Sequence, residues 1–311
     1  MKDASALIIT VNFRQDKCTR RFLNSAAALE DFPRCHLSIV DNNSSDDSLP
    51  SLRSASAEFA NVELLASPRN AGYFSAAGWA LQRYLENHDA PDWVVICNND
   101  VVFDDPRFLS QLLARDPNTA GVIAPAITSG LTGYDENPSI ARRPSQLRML
   151  RYSLWLSNYY LMWFKQWLSP SIRKIRNRLR AWAAASANHK AIYAPSGALL
   201  IFSRCFFESG GFIDDGSFLY AEEFRVAEMC RQLRLPIIHD PALRVWHEGS
   251  QSTGRLLTRD VFQHQKNGFR YAFGRYNSSY PELGTMPQRL ETPVPQIEPK
   301  VQPSPAGDRI P

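Results

Sequence analysis

Apolar and polar positions alternate along the first 135 residues in a way that predicts strands and helices in turn. Ala6–Val11 is a short apolar run that reads as a strand, ending at Thr10, Asn12 and Phe13. Phe22, Leu23, Ala26 and Leu29 then recur at helical spacing. Leu37–Val40 is a second apolar run. It empties into Asp41-Asn42-Asn43-Ser44-Ser45-Asp46-Asp47, whose Ser and Asp residues suit the N-cap of a following helix. Val62–Ala66 reads as a strand, Asn70-Ala71-Gly72 as a turn and residues 74–86 as a helix. Trp93–Cys97 is a further strand, ending in Asn98-Asn99-Asp100, and Gly121–Pro125 another. This alternation predicts a largely parallel sheet flanked by helices. Ligands bind such sheets beyond the carboxyl ends of the strands. Oxygen ligands there, Asp100 first among them, can hold a divalent ion against a diphosphate.

Regular patterning returns later in the chain. Ala198–Ser203 reads as a strand, Glu222 to Arg234 as a helix, Ile237–His239 and Leu243–Trp246 as strands, and residues 258–274 as a last helix. The segment between has a different character. From Asn137 to Phe207 there is no Asp or Glu, yet twelve Lys and Arg, so the remainder of a chain with net charge +4 is acidic. Residues 152–164 carry no charge and are rich in Tyr, Trp and Leu. They are shorter than the ~20 apolar residues that span a bilayer. After Ser169-Pro170, an apolar stripe of Ile172, Ile175, Leu179 and Trp182 runs among Arg and Lys. That pattern predicts a basic amphipathic helix of the membrane-surface kind. From Pro281 onward come eight prolines and few large apolar residues, which predicts a disordered tail. The organisation expected is one domain over 1–280. It comprises a strand-and-helix half to about 135, a basic aromatic helical insertion over 137–190 and a second half over 191–280, before the tail at 281–311.

Composition adds limits. At 44% hydrophobic and 21% charged, 311 residues form an ordinary globular chain. Five cysteines without a CxxC pair argue against a disulfide framework or zinc site and for a reducing compartment. The N-terminus has no signal-peptide pattern. Nothing that reads nucleic acid accompanies the basic residues, so nucleic acid is not an expected partner.

Six segments carry a resemblance. They are Asp41 to Ser48 (DNNSSDDS), Arg69-Asn70-Ala71-Gly72-Tyr73, Asn98-Asn99-Asp100-Val101, Ser196-Gly197-Ala198, Phe218-Leu219-Tyr220-Ala221-Glu222-Glu223 and Trp246-His247. In this order, over roughly residues 5 to 255, the chain resembles family-two glycosyltransferases of the GT-A fold. The bacterial surface-polysaccharide branch with its rhamnosyltransferase-like members is the nearest match. The resemblance implies a GT-A-like (Rossmann-like) α/β fold. It also implies inverting transfer from a UDP- or dTDP-linked sugar to a hydroxyl of a glycan or glycolipid acceptor, in cell-surface polysaccharide synthesis, with Mg2+ or Mn2+. Asp100 would bind the metal and His247 complete its shell. Glu223, with Glu222 as the alternative, would be the general base. Asp41, flanked by Thr10 and Asn12, would hold the base or ribose. Arg69, Asn70, Gly72 and Asn99 would line the nucleotide, and Gly197, Tyr220 and Trp246 the acceptor sugar. The protein would be cytoplasmic, with residues 145–185 available to hold it on the anionic inner face of the membrane.

The chain departs from the family pattern in three places. Asn98 and Asn99 stand where a second carboxylate is common, the second acid of the pair is Glu223 rather than Asp, and Arg225 replaces a frequent acid. Each residue also has a plainer reading: turn-forming Asn and Asp, acids favouring a helix N-terminus, a solvated loop charge at Arg69, or core aromatics. Two other functions remain open on sequence. One is a non-catalytic sugar- or partner-binding protein. The other is a sugar nucleotidyltransferase, although Thr10-Val11-Asn12-Phe13-Arg14 lacks the Gly-rich loop such enzymes carry after the first strand.

Overall fold

The structure, a computed structural model, describes residues 5–165, 190–249, 257–278 and 280. The expected basic helix around 172–182 and the Pro-rich tail lie outside these residues.

The apolar runs become the middle of one sheet. β1 (Ala6–Asn12), β2 (Cys35–Asp41), β3 (Val62–Ala66) and β4 (Trp93–Asn98) pair in parallel in the order β3-β2-β1-β4. β1, β2 and β4 are buried along almost their whole length, as strands covered on both faces must be. The sheet continues through β8 (Leu199–Ser203), β6 (Val122–Ser129) and β9 (Ile237–His247), with β8 antiparallel to its neighbours. Two short strands, β5 (Val101–Val102) and β7 (Lys190–Ile192), pair antiparallel with β9 and bring the sheet to nine strands.

The two strands expected near residue 240 are one. β9 runs from Ile237 to His247, and its register against β6 shifts between Pro125 and Ala126. Pro241 has no N–H to give the ladder, so the sequence shows a break where the structure makes an irregularity.

Helices cover both faces. α1 (Asp16–Ala27) buries Thr19, Phe22, Leu23 and Ala26, and with α2 (Ser48–Ser56) and α4 (Phe108–Leu113) closes one side. α3 (Tyr73–Leu85) buries Phe74, Ala77, Ala80, Leu81 and Tyr84 on the other, beside α7 (Glu222–Leu233). α5 (Gln146–Trp155) lies in the insertion expected to be helical; Ser145 caps it by accepting from the Arg148 amide. α6 (Arg204–Glu208) follows β8 directly. A third apolar cluster, including Met149, Phe224, Phe262 and Phe269, joins α5, α7 and α8 (Arg259–Asn277). It fixes the wall that faces the carboxyl ends of the central strands.

Candidate active site

The strand ends build the site. Asn12 and Asp41 are register partners, and Asn12 Nδ2 donates to Asp41 Oδ1 at 2.8 Å while the Ser44 amide donates to Oδ2 at 3.0 Å. Asp41 is thereby 2% exposed. Thr10 is fully buried and donates to the Cys97 carbonyl. These three residues lie behind the cleft rather than on its wall. Asn42, which sequence reasoning passed over, takes the wall position. Its Nδ2 donates to Asn70 Oδ1 at 2.9 Å and to the Gly72 carbonyl, and its Oδ1 accepts from the Ala71 amide. Gly72 has φ +88°, and a Cβ there would come within 2.1 Å of the Phe218 carbonyl oxygen. Both facts require glycine. Arg69 is exposed and does not line the cleft.

A cleft of about 640 Å³ gathers Asn42, Asn70, Gly72, Asn99, Asp100, Gly197, Tyr220, Glu222, Glu223 and His247 from segments far apart in sequence. That volume is typical of small-molecule sites. Trp246 points to the opposite face of β9 and packs on Gly130, as alternation with His247 demands. Sequence reasoning missed Asp260, Val261 and His264, which α8 adds to the wall. His264 stacks on Phe218 with centroids 4.9 Å apart. These residues belong to an ordinary amphipathic pattern, with no local signal of a site.

Tertiary pairing joins Asp100 to His247. β5 begins immediately after Asp100, and its Val101 is the register partner of His247. His247 Nε2 then lies 3.2 Å from Asp100 Oδ1, without hydrogen-bond geometry, and has no hydrogen-bond partner among the described residues. Its Nδ1 donates to Glu136 Oε1 at 2.9 Å. Ser196 Oγ donates to the other oxygen of Glu136 at 3.1 Å. Burial lowers the proton affinity of His247, but the two carboxylates that face its ring nitrogens, Asp100 and Glu136, outweigh it and raise the pKa to about 10.

This donor set fits a divalent cation. A carboxylate oxygen and an imidazole nitrogen face each other, and a carboxylate on Nδ1 leaves Nε2 free to ligate once its proton is displaced. No group of three or more His, Cys, Asp or Glu that could hold a metal exists among the described residues. Two protein ligands are what Mg2+ commonly uses when substrate phosphates and water supply the rest.

Across the cleft, Glu222 and Glu223 open α7 after two non-glycine residues in the left-handed region, Tyr220 (φ 72°) and Ala221 (φ 64°). Such backbone costs about 1–3 kcal/mol per residue and persists only where the surroundings enforce it. Gly268 of α8 permits it, since a Cβ there would meet the Tyr220 carbonyl oxygen at 2.5 Å. Glu223 reaches over Gly197, whose Cβ position lies 3.5 Å from Glu223 Oε2. Burial, then the charge of Glu223, raises the pKa of Glu222 to about 7, against a smaller lowering by Arg225. Burial also raises Glu223. Arg225 is fully buried, donates to the Asp214 carbonyl at 2.5 Å and lies 3.7 Å from Glu222 Oε1. The residue that departs from the family pattern is thus a buried counter-charge behind the acidic pair.

Comparison with known proteins identifies the family. A family model described as glycosyl transferase family 2 matches residues 5–186. N-acetylglucosaminyl-diphospho-decaprenol L-rhamnosyltransferase of Mycobacterium tuberculosis (strain ATCC 25618 / H37Rv) is 25% identical over 284 residues, covering 87% of this chain and 84% of that one. GalNAc-T7 with UDP, GalNAc and Mn2+ is similar in structure at a TM-score of 0.55 and 12% identity, over 86% of this chain. The similarity covers 47% of GalNAc-T7, so this chain spans about half its length. Mannosyltransferase PcManGT from Pyrobaculum calidifontis, in complex with GDP-Man and Mn2+, gives 0.50 and 13% over 91% of this chain and 78% of that one. At these identities the solved structures show the fold alone. The family match covers more than half of the chain, and the chain belongs to glycosyl transferase family 2: it is a glycosyltransferase of the GT-A fold.

Proposed function

We propose that this glycosyltransferase is inverting and metal-dependent. It moves a sugar from a UDP- or dTDP-linked donor to a hydroxyl of a lipid-linked glycan in cell-surface polysaccharide synthesis. One observation carries the reading: Asp100 with His247, and Glu222 with Glu223, face a single cleft of about 640 Å³. The Mn2+ and nucleotide named with GalNAc-T7 and PcManGT, and the lipid diphosphate named in the mycobacterial relative, support it.

Asp100 and His247 would hold Mg2+ or Mn2+, which when bound neutralises the departing diphosphate. Asn42, Asn70, Gly72 and Asn99 form the nucleotide wall, with Asp41, Asn12 and Thr10 bracing it from behind. The Glu223 carboxylate, or Glu222 beside it, takes the proton of the acceptor hydroxyl. That oxygen forms a bond to the anomeric carbon as the bond from this carbon to the phosphate oxygen breaks. The electron pair leaves with the nucleoside diphosphate, and attack from the opposite face inverts the centre. Gly197 and Tyr220 border the acceptor side.

The proposed location is the cytoplasm, on the inner membrane face. Among the described residues no helix is long and apolar enough to cross a membrane. Leu147, Leu150, Leu154, Leu161, Trp163 and Phe164 are exposed in the basic segment, which suits a lipid surface. A thermal-shift screen of nucleotide sugars with and without Mn2+ tests the function. Metal-dependent stabilisation by one donor, rising with its concentration, is expected. Absence of stabilisation by every UDP- and dTDP-sugar would overturn it.

A further inference from the structure

A second cavity, of about 670 Å³, lies against the first and shares Tyr220, Ala221 and Glu223 with it. It is built largely from the acid-free stretch. Arg148, Arg151 and Lys165 supply three cations to its lining, and Glu223 is the only acid among its described lining residues. Burial pushes that carboxyl toward its neutral form. Trp155, Phe224 and Phe269 make an apolar wall, and the Tyr152 ring meets Phe269 with centroids 4.8 Å apart.

The arginines of this region are used in two ways. Arg143 pairs with Glu228 at 2.7 Å and donates to the Tyr276 carbonyl, a structural role. Arg148 and Arg151 are exposed, and neither guanidinium has an ion-pair partner among the described residues. Arg148 and Arg151 bring two like charges to an apolar wall, near Lys165, which lies over the Tyr152 ring at 4.1 Å. Guanidinium forks match phosphate oxygens in geometry and charge. The wall opposite them suits hydrocarbon.

We infer that this second cavity seats the acceptor, and that the acceptor is an amphiphile whose phosphate or diphosphate is held by Arg148 and Arg151 while its hydrocarbon lies along Trp155 and Phe269. The inference rests on the reading of Glu223 as the base, because that carboxylate is where the two cavities meet. It also gives the acid-free stretch a task in substrate binding, separate from attraction to a bilayer.

The test uses the full chain and four probes: farnesyl diphosphate, farnesol, inorganic diphosphate, and phosphatidylglycerol vesicles. Binding is read by calorimetry and by the fluorescence change that Trp155→Phe should remove. Farnesyl diphosphate is expected to bind at least about tenfold tighter than farnesol and to be competed by inorganic diphosphate. In R148A/R151A its affinity should fall at least about tenfold, with nucleotide-sugar stabilisation in Mn2+ unchanged. Equal binding of farnesol, or undiminished binding by the double variant, would overturn the proposal. So would a variant that loses vesicle binding but keeps farnesyl diphosphate, because the cations would then serve the bilayer. Should the double variant not fold, R151Q and the diphosphate competition on the unaltered chain decide. Failure of the glycosyltransfer reading would appear in the nucleotide-sugar arm, and failure of this one in the farnesyl diphosphate arm.

Discussion

His247 Nδ1 donates to Glu136 Oε1 at 2.9 Å, so the ring is oriented by a carboxylate 111 residues away in sequence. The opposite nitrogen is thereby aimed at Asp100. An imidazole held this way is a pre-set ligand, and the carboxylate behind it typically contributes a factor of about 10–100 in metal affinity. Glu136→Ala is therefore expected to weaken Mn2+ binding, in the presence of nucleoside diphosphate, by about that factor. Titration calorimetry measures it, and unchanged affinity would reduce Glu136 to a structural role. The same titration should release a proton, because the two carboxylates hold His247 protonated to about pH 10 until a cation displaces it.

Asp100→Ala removes the carboxylate of the proposed pair. Transfer should fall at least about 100-fold, the scale of losing charge stabilisation of a leaving diphosphate. Initial rates at saturating Mn2+ are the measurement. Undiminished transfer would mean that the diphosphate is neutralised by other groups.

The acidic pair sets a pH dependence. A base must be ionised, and Glu222 titrates near 7 beside a raised Glu223, so the pair acts as one coupled unit. Transfer should rise with pH up to about 7 and then level. Glu222→Gln removes the like charge beside Glu223 and should move the acid limb to lower pH. If Glu223 is the base, Glu223→Gln abolishes transfer while Glu222→Gln retains a measurable rate. The reverse result assigns the base to Glu222.

Stability carries the opposite sign. The folded chain holds the Glu222 proton more tightly than the unfolded chain, whose carboxyl titrates near 4.5. This group's contribution is full below about pH 4.5 and is lost as pH rises through about 7, on the order of 3 kcal/mol in all. Denaturant titrations at pH 5 and pH 8 should therefore show a smaller stability difference in Glu222→Gln than in the parent.

Gly72→Ala tests the nucleotide wall. The added methyl meets the Phe218 carbonyl and φ is positive, so a loss of about 2 kcal/mol or more is expected, seen as a drop of several degrees in Tm. Donor affinity should fall with it, because Gly72 and Asn70 share one hydrogen-bonded turn.

Much of the parallel half could be read from the chain because its signals are local. The apolar runs at β1, β2, β3 and β4 are each long enough to be strands, and turn residues end them. α1 showed its buried face at helical spacing, and the polar turns marked where ligands approach. Glu136, Asn42 and Arg225 left no such trace. Glu136 is an acid on an irregular loop, significant only because Ser196 and His247 arrive beside it. Asn42 stood among turn-forming neighbours, and its role comes from Asn70 across the strand end. Arg225 looked like a missing acid, whereas its environment, closed by Asp214 and Glu222, made it a buried counter-charge.

Sequence alone determined the sheet, the order of its central strands' turns and the carboxylates on offer, because hydrophobic period and turn chemistry act over a few residues. Only the folded chain decided which carboxylates meet. The pairing of Val101 with His247, the left-handed step at Tyr220–Ala221 and the second cavity beneath Glu223 all depend on contacts between segments far apart along the chain. Contacts of that kind arise from packing in three dimensions and leave no periodicity along the chain.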